Sequence, residues 1–135
     1  MTIRGAGIGQ TTIKPVGTWD PGTNGLPNET DSAKAVREAF LFNIENTENV
    51  TISHMTTRAD RLHGHMVLVS NKDTTISHIK LIQGLWVGIQ TFKQRGIVVH
   101  DCVFEDAGGK VRWMGGSIFQ TGTDGGEYYN NHMYR

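Results

Sequence analysis

The chain has 135 residues, with 13 basic side chains balancing 13 acidic ones, which excludes a basic nucleic-acid footprint and an acidic tail. Seventeen glycines against three prolines, with many Thr, Val and Ile, favour short strands and tight corners over helices. The length fits a single domain, residues 1–135. No apolar run approaches the ~20 residues of a membrane-spanning helix, no signal sequence is read after Met1, and the lone Cys102 has no intrachain disulfide partner and reads as a small buried hydrophobe.

In chain order, Met1-Thr2-Ile3-Arg4-Gly5-Ala6-Gly7 reads as a strand and a corner, and short β pieces continue to Lys14. Residues 15–39 form the longest excursion. Pro15 to Asn28 is loop by composition, and Thr30-Asp31-Ser32 predicts the cap of a short helix from Ala33 to Ala39. From Phe40 a complete unit is predicted: a strand at Phe40-Leu41-Phe42-Asn43, a turn from Glu45 to Asn49, a strand at Val50-Thr51-Ile52, a corner at Ser53-His54 and a strand at Met55-Thr56-Thr57. Alternation puts Phe40, Phe42, Val50, Ile52 and Met55 inward and Thr51 and Thr56 outward.

The unit recurs. Asn49-Val50-Thr51-Ile52-Ser53-His54-Met55-Thr56 returns as Asp73-Thr74-Thr75-Ile76-Ser77-His78-Ile79-Lys80, as Gly96-Ile97-Val98-Val99-His100-Asp101-Cys102-Val103, and more weakly from Glu127 to Tyr134. Aligning Ile52, Ile76, Val99 and Tyr129 gives intervals of 24, 23 and 30 residues. Such a period predicts one supersecondary unit stacked on itself. The predicted fold is all-β: a right-handed parallel β-helix of about four rungs, three short strands each, around a dry interior. A leucine-rich repeat would need its Leu-x-x-Leu-x-Leu pattern, and a propeller blade about 40 residues. A rung opens at Met1 and another stops at Arg135, so the expectation is a piece of a longer β-helix or a unit that associates end to end.

Three features, the Thr2 to Gly7 opening, the Asn-Val-Thr-Ile-x-x-Met unit and the closing Tyr-Asn-Asn, resemble the pectin-lyase-like right-handed β-helix superfamily across nearly the whole chain. That superfamily contains polysaccharide lyases, uronan epimerases, polygalacturonase-type hydrolases and phage tailspikes. The resemblance therefore specifies fold better than chemistry, and it implies an extracellular setting. It also implies a polysaccharide groove made by the first strand of each rung and the loop before it, here Arg58 to Gly64, Gln83 to Trp86 and Glu105 to Gly116.

The groove candidates are Arg58, Asp60, Arg61, His63 and His65 on the first loop, Trp86, Gln90 and Lys93 on the next rung, and Lys110, Arg112 and Trp113 on the third. Trp86 and Trp113 would stack on sugar rings with Gln90 beside them, and Arg or Lys would pair with uronate carboxylates. No Asp-Asp pair is present and His63-Gly64-His65 is only a fragment of the hydrolases' Gly-His-Gly, which disfavours inverting hydrolysis by paired carboxylates. β-Elimination instead needs a neutraliser and a base able to lose its charge. Arg58, Arg61 and Arg112 fit the first role, and Lys93, Lys110, His63 and His65 the second, with none singled out. The competing expectation is a solvated loop over a non-catalytic scaffold of the tailspike type, which binds glycan or assembles. The expected partner is an acidic polysaccharide, not nucleic acid or a membrane.

The corner positions Gly5, His54, His78, Asp101 and Asn131 recur at the same place in successive units. A hydrogen-bonding ladder is expected there rather than a metal site, which needs three or more converging ligands. No cofactor is expected; calcium suits such folds, but no motif points to it. Asn28-Glu29-Thr30 and Asn49-Val50-Thr51 fit the glycosylation pattern, which is common by chance.

Overall fold

The computed structural model describes residues 1–16, 40–108 and 116–134. Among these the protein is all strand and turn, with no helix. The predicted helix from Ala33 to Ala39, and all of the 15–39 excursion except Pro15 and Val16, lie outside the described residues. The strands are β1 (Thr2–Arg4), β2 (Thr12–Ile13), β3 (Phe40–Glu45), β4 (Glu48–Asp60), β5 (Gly64–Val69), β6 (Lys72–Gln83), β7 (Val87–Phe92), β8 (Arg95–His100), β9 (Val103–Glu105), β10 (Gly116–Thr121), β11 (Asp124–Tyr129) and β12 (His132–Tyr134).

They make two sheets, and every pairing is parallel. The smaller sheet has the order β10-β7-β5-β3. The larger runs β1-β4-β6-β8-β11, with β2 on β4, and with β9 on β6 and β12 on β9. The sequence predicts three separate strands per unit, but the second and third belong to one sheet. β4 and β6 pass through His54 and His78 without a break, bending where each takes a positive φ (60° and 52°). The bend divides the strand without ending its ladder.

Register fixes the repeat. Ile3 pairs with Ile52, Ile52 with Ile76, Ile76 with Val99, and Val99 with Tyr128. The fourth unit is thus offset by one residue from the sequence alignment: Tyr128, not Tyr129, falls opposite Val99. The corner residue is then Asn130 (φ 52°), not Asn131. Asn131 turns back into the stack, where its Oδ1 accepts from the Cys102 N–H at 3.0 Å and its Nδ2 donates to the Val99 carbonyl at 2.9 Å.

The main core lies between the sheets. Ile52, Met55, Ile76, Ile79, Ile97, Val99 and Phe104 come from the larger sheet, and Ile44, Met66, Leu68 and Ile89 from the smaller. The smaller sheet also buries its other face, where Phe40, Val67, Trp86 and Val87 form a second apolar cluster. This explains the unbroken run Met66-Val67-Leu68-Val69, because a strand covered on both sides need not alternate. It also moves Phe40 out of the main core. Thr56, expected at the surface, is buried because its Oγ1 accepts from the Gly9 N–H at 3.0 Å.

Two internal contacts hold the layers close. Gly64 lies so near the adjoining strand that a Cβ there would stand 2.1 Å from the Val87 carbonyl oxygen and 2.5 Å from the Phe40 ring. Asn71 is 2 % exposed, and both ends of its side-chain amide are hydrogen-bonded. Nδ2 donates to the Ile44 carbonyl at 2.8 Å, and Oδ1 accepts from the Thr47 N–H at 3.0 Å and the Thr47 hydroxyl at 2.9 Å. Its own N–H donates to Gln94 Oε1, and Gln94 Nε2 donates to Thr74 Oγ1. Asn71→Ala leaves these groups buried and unpartnered, and a loss of about 3 kcal/mol is expected in urea unfolding. Gly64→Ala should cost more than about 2 kcal/mol by the same measurement, since backbone must move to admit a methyl group.

Candidate functional site

The residues named for polysaccharide chemistry are distributed as follows. Arg58, at the end of β4, donates from Nη2 to Gln83 Oε1 at 3.2 Å and lies 3.4 Å from Asp60 Oδ1. Both partners of this ion pair are about 40 % exposed, so it contributes little to stability. Arg61 is exposed on the following turn, which closes with Leu62 N–H donating to the Ala59 carbonyl at 2.8 Å. The turn is tied to the next layer: the N–H groups of Trp86 and Val87 both donate to the His63 carbonyl, at 2.8 and 3.0 Å.

His63 and His65 are both buried. The His63 ring meets Trp86 edge-on, with centroids 5.9 Å apart. His65 has no exposed surface. Its Nε2 lies 2.6 Å from the Gln83 carbonyl and must carry the proton there, which leaves Nδ1 to accept from the Thr57 hydroxyl at 2.7 Å. Burial drives its pKa down to about 4, with the Gln83 hydrogen bond and the Asp60 charge opposing weakly. Such a ring is neutral at pH 7, and both of its nitrogens are already hydrogen-bonded. Trp86 is 5 % exposed within the second apolar cluster, and Gln90 is 1 % exposed with neither end of its amide hydrogen-bonded. Neither offers a face to a sugar.

Lys93 is exposed at a corner with φ 51°, just past the C-terminal end of β7. The Arg58–Gly64 turn leads into the N-terminal ends of the same sheet. A six-residue strand separates them, about 20 Å at 3.3 Å per residue. Lys110, Arg112 and Trp113 lie outside the described residues. Among the described residues, the candidates are therefore divided between a turn, a buried cluster and a distant corner.

What it does bring together is a column of rings on the larger sheet. His54 and His78 stack with centroids 4.7 Å apart and planes 13° apart. His78 meets His100 edge-on at 5.6 Å, and His100 stacks on Tyr129 at 4.9 Å and 9°. His100 Nδ1 is 2.6 Å from Asp101 Oδ2, and His78 Nε2 is 3.9 Å from the same oxygen. The geometry follows from register: Ser77 pairs with His100 and His100 with Tyr129, so the residues before the bend stack beside those at it. The hydrogen bond from His100 holds the Asp101 carboxyl below the usual carboxylate range, against an opposing effect of burial. Desolvation, with Arg4 and His78 nearby, lowers the pKa of His54. The sequence reading found His54, His78 and Asp101 but missed His100 and Tyr129. Pairing Ser53, Ser77 and His100 as a second row would have exposed them.

Two further features complete the surface. Cys102 is buried, and burial pushes its thiol up to about 11, which rules out a nucleophile at neutral pH. An open trough crosses the larger sheet's outer face, lined by Asn49, Thr51, Asp73, Thr75 and Glu127 together with residues 96–98, Gly125 and Gly126. Its lining includes two carboxylates and no Lys or Arg. No protein-family model, curated protein or solved structure matches the chain.

The buried imidazole has a measurable signature. Above pH 6.5 the His65 ring is neutral in both folded and unfolded chains; between 6.5 and about 4 only the unfolded chain takes up the proton, so stability falls as pH falls through that window. The loss amounts to about 3 kcal/mol. Urea midpoints at pH 7.5 and 4.5 should therefore diverge more in the wild type than in His65→Gln, which has no proton to take up.

Proposed function

We propose that the two sheets are walls of a right-handed parallel β-helix, and that the chain is a non-catalytic scaffold that binds or assembles rather than a polysaccharide lyase. The support for the coil is that neighbours in the larger sheet are joined through strands of the smaller one, and parallel crossovers of this kind are right-handed in about 98 % of cases. The observation that carries the functional reading is the dispersal of the candidate bases and neutralisers among the described residues. β-Elimination needs a base within hydrogen-bond reach of the proton α to a carboxylate, with a cation on that carboxylate. His65 is enclosed, Arg58 is engaged with Gln83 and Asp60, and Lys93 stands a strand length away. The open trough adds to this. Asp73 and Glu127 would repel a uronate polymer, whereas its threonine hydroxyls and Asn49 suit a neutral, hydroxyl-rich surface.

Incubation with alginate, pectate and glycosaminoglycans, followed by the absorbance of the unsaturated product, is expected to give no product with any of them. Product that disappears in Arg61→Ala or Lys93→Ala would overturn the scaffold reading and restore cleavage of an acidic polysaccharide.

A further inference from the structure

We propose that His78, His100 and Asp101 form a binding site for a divalent transition-metal ion of the zinc type. One ligand atom from each lies within 4.8 Å of the others. Two imidazole nitrogens and a carboxylate oxygen are a donor set that suits zinc and its neighbours rather than calcium or magnesium, which take oxygen. A tetrahedral ion with bonds of 2.0–2.1 Å sets its donors about 3.3 Å apart. The separations of 2.6 Å (His100 Nδ1 to Asp101 Oδ2) and 3.9 Å (His78 Nε2 to Asp101 Oδ2) bracket that value, and the third, between the two imidazoles, is no more than 4.8 Å, so the donors must draw together by about 1.5 Å at most. Water would take the fourth position.

The backbone makes this arrangement durable. His78 and Asp101 occupy the same bend in adjacent layers, with φ of 52° and 53°, and His100 precedes Asp101 directly. Each ligand ring is held by a second ring stacked on it, His54 on His78 and Tyr129 on His100. The Asn130 side chain hydrogen-bonds to Asp101 from the next layer, the kind of outer support that fixes a ligating carboxylate. On binding, the ion takes the place of the hydrogen between His100 Nδ1 and Asp101, and the neutral ring carries that hydrogen on Nε2 instead, so no net proton is released. Nothing else is consumed.

Titration of the full chain with zinc chloride by calorimetry should show a single ion per chain. Cobalt(II) in its place should give the visible absorption of a four-coordinate ion. His78→Asn and Asp101→Asn keep residues that tolerate the bend, as Asn130 does, and each should weaken binding at least about tenfold. His132→Asn should leave it unchanged. Absence of wild-type binding at millimolar zinc, or equal binding by both bend variants, would overturn the site. On the wild type alone, NMR broadening by cobalt must centre on residues 78 and 100–101; broadening centred on His132 or His63 would count equally against it.

Discussion

The structure depends on bending strands without breaking their parallel ladders. Each unit bends where a residue takes positive φ, and these residues recur in columns: Asn46, Ser70, Lys93 and Gly122; Asn49, Asp73, Gly96 and Gly125; His54, His78, Asp101 and Asn130. A non-glycine residue in this region costs about 1–2 kcal/mol, so the cost recurs in every layer. The ladder offsets it. The N–H groups of Asn46, Ser70 and Lys93 donate at 2.9 Å to the carbonyls of Val69, Phe92 and Thr121 in the next layer, and Asp101 N–H reaches the Tyr129 carbonyl at 3.2 Å. At these four bends the ladder continues through the bend residue itself.

This constraint decides which residues stand at the surface of a bend. Asn, Asp and Gly tolerate positive φ best, and most bend positions carry one of them; histidine is the other polar residue enriched there. Once His54 and His78 occupy successive layers, a spacing of about 4.8 Å makes ring stacking unavoidable. The imidazole column is thus a by-product of backbone economy that nonetheless gathers two nitrogens and a carboxylate. Between neighbouring strands the same spacing serves Asn71, Gln94 and Thr74, whose side-chain hydrogen bonds link successive repeats.

The repeat was legible wherever inward positions were β-branched and outward ones polar, as at Ile52, Ile76 and Val99. Its register failed in the fourth unit because Tyr128-Tyr129 and Asn130-Asn131 are doublets, which read equally well shifted by one residue. Only the pairing of Tyr128 with Val99 separates them. The number of sheets was not legible at all, since a bend with an intact ladder and a break between strands carry the same Ser-His signature. The second apolar cluster escaped for a related reason: alternation says which residues share a face, not whether the other face is covered.

The functional candidates fared differently because they were chosen by chemistry before position was known. Charge and aromaticity point to Arg58, His65, Trp86 and Lys93, yet burial and strand length, which separate them, depend on contacts many residues apart in sequence. The histidine column was half visible because a single row of the repeat carried His54 and His78. His100 sits one residue before its bend, in a row otherwise held by Ser53, Ser77 and Tyr129, and no one-row alignment brings it beside His78. In a stacked parallel fold the sites that sequence can reveal are those within a column. Those built across two columns require the register, and here it is the register that sets His100 beside His78 and Asp101.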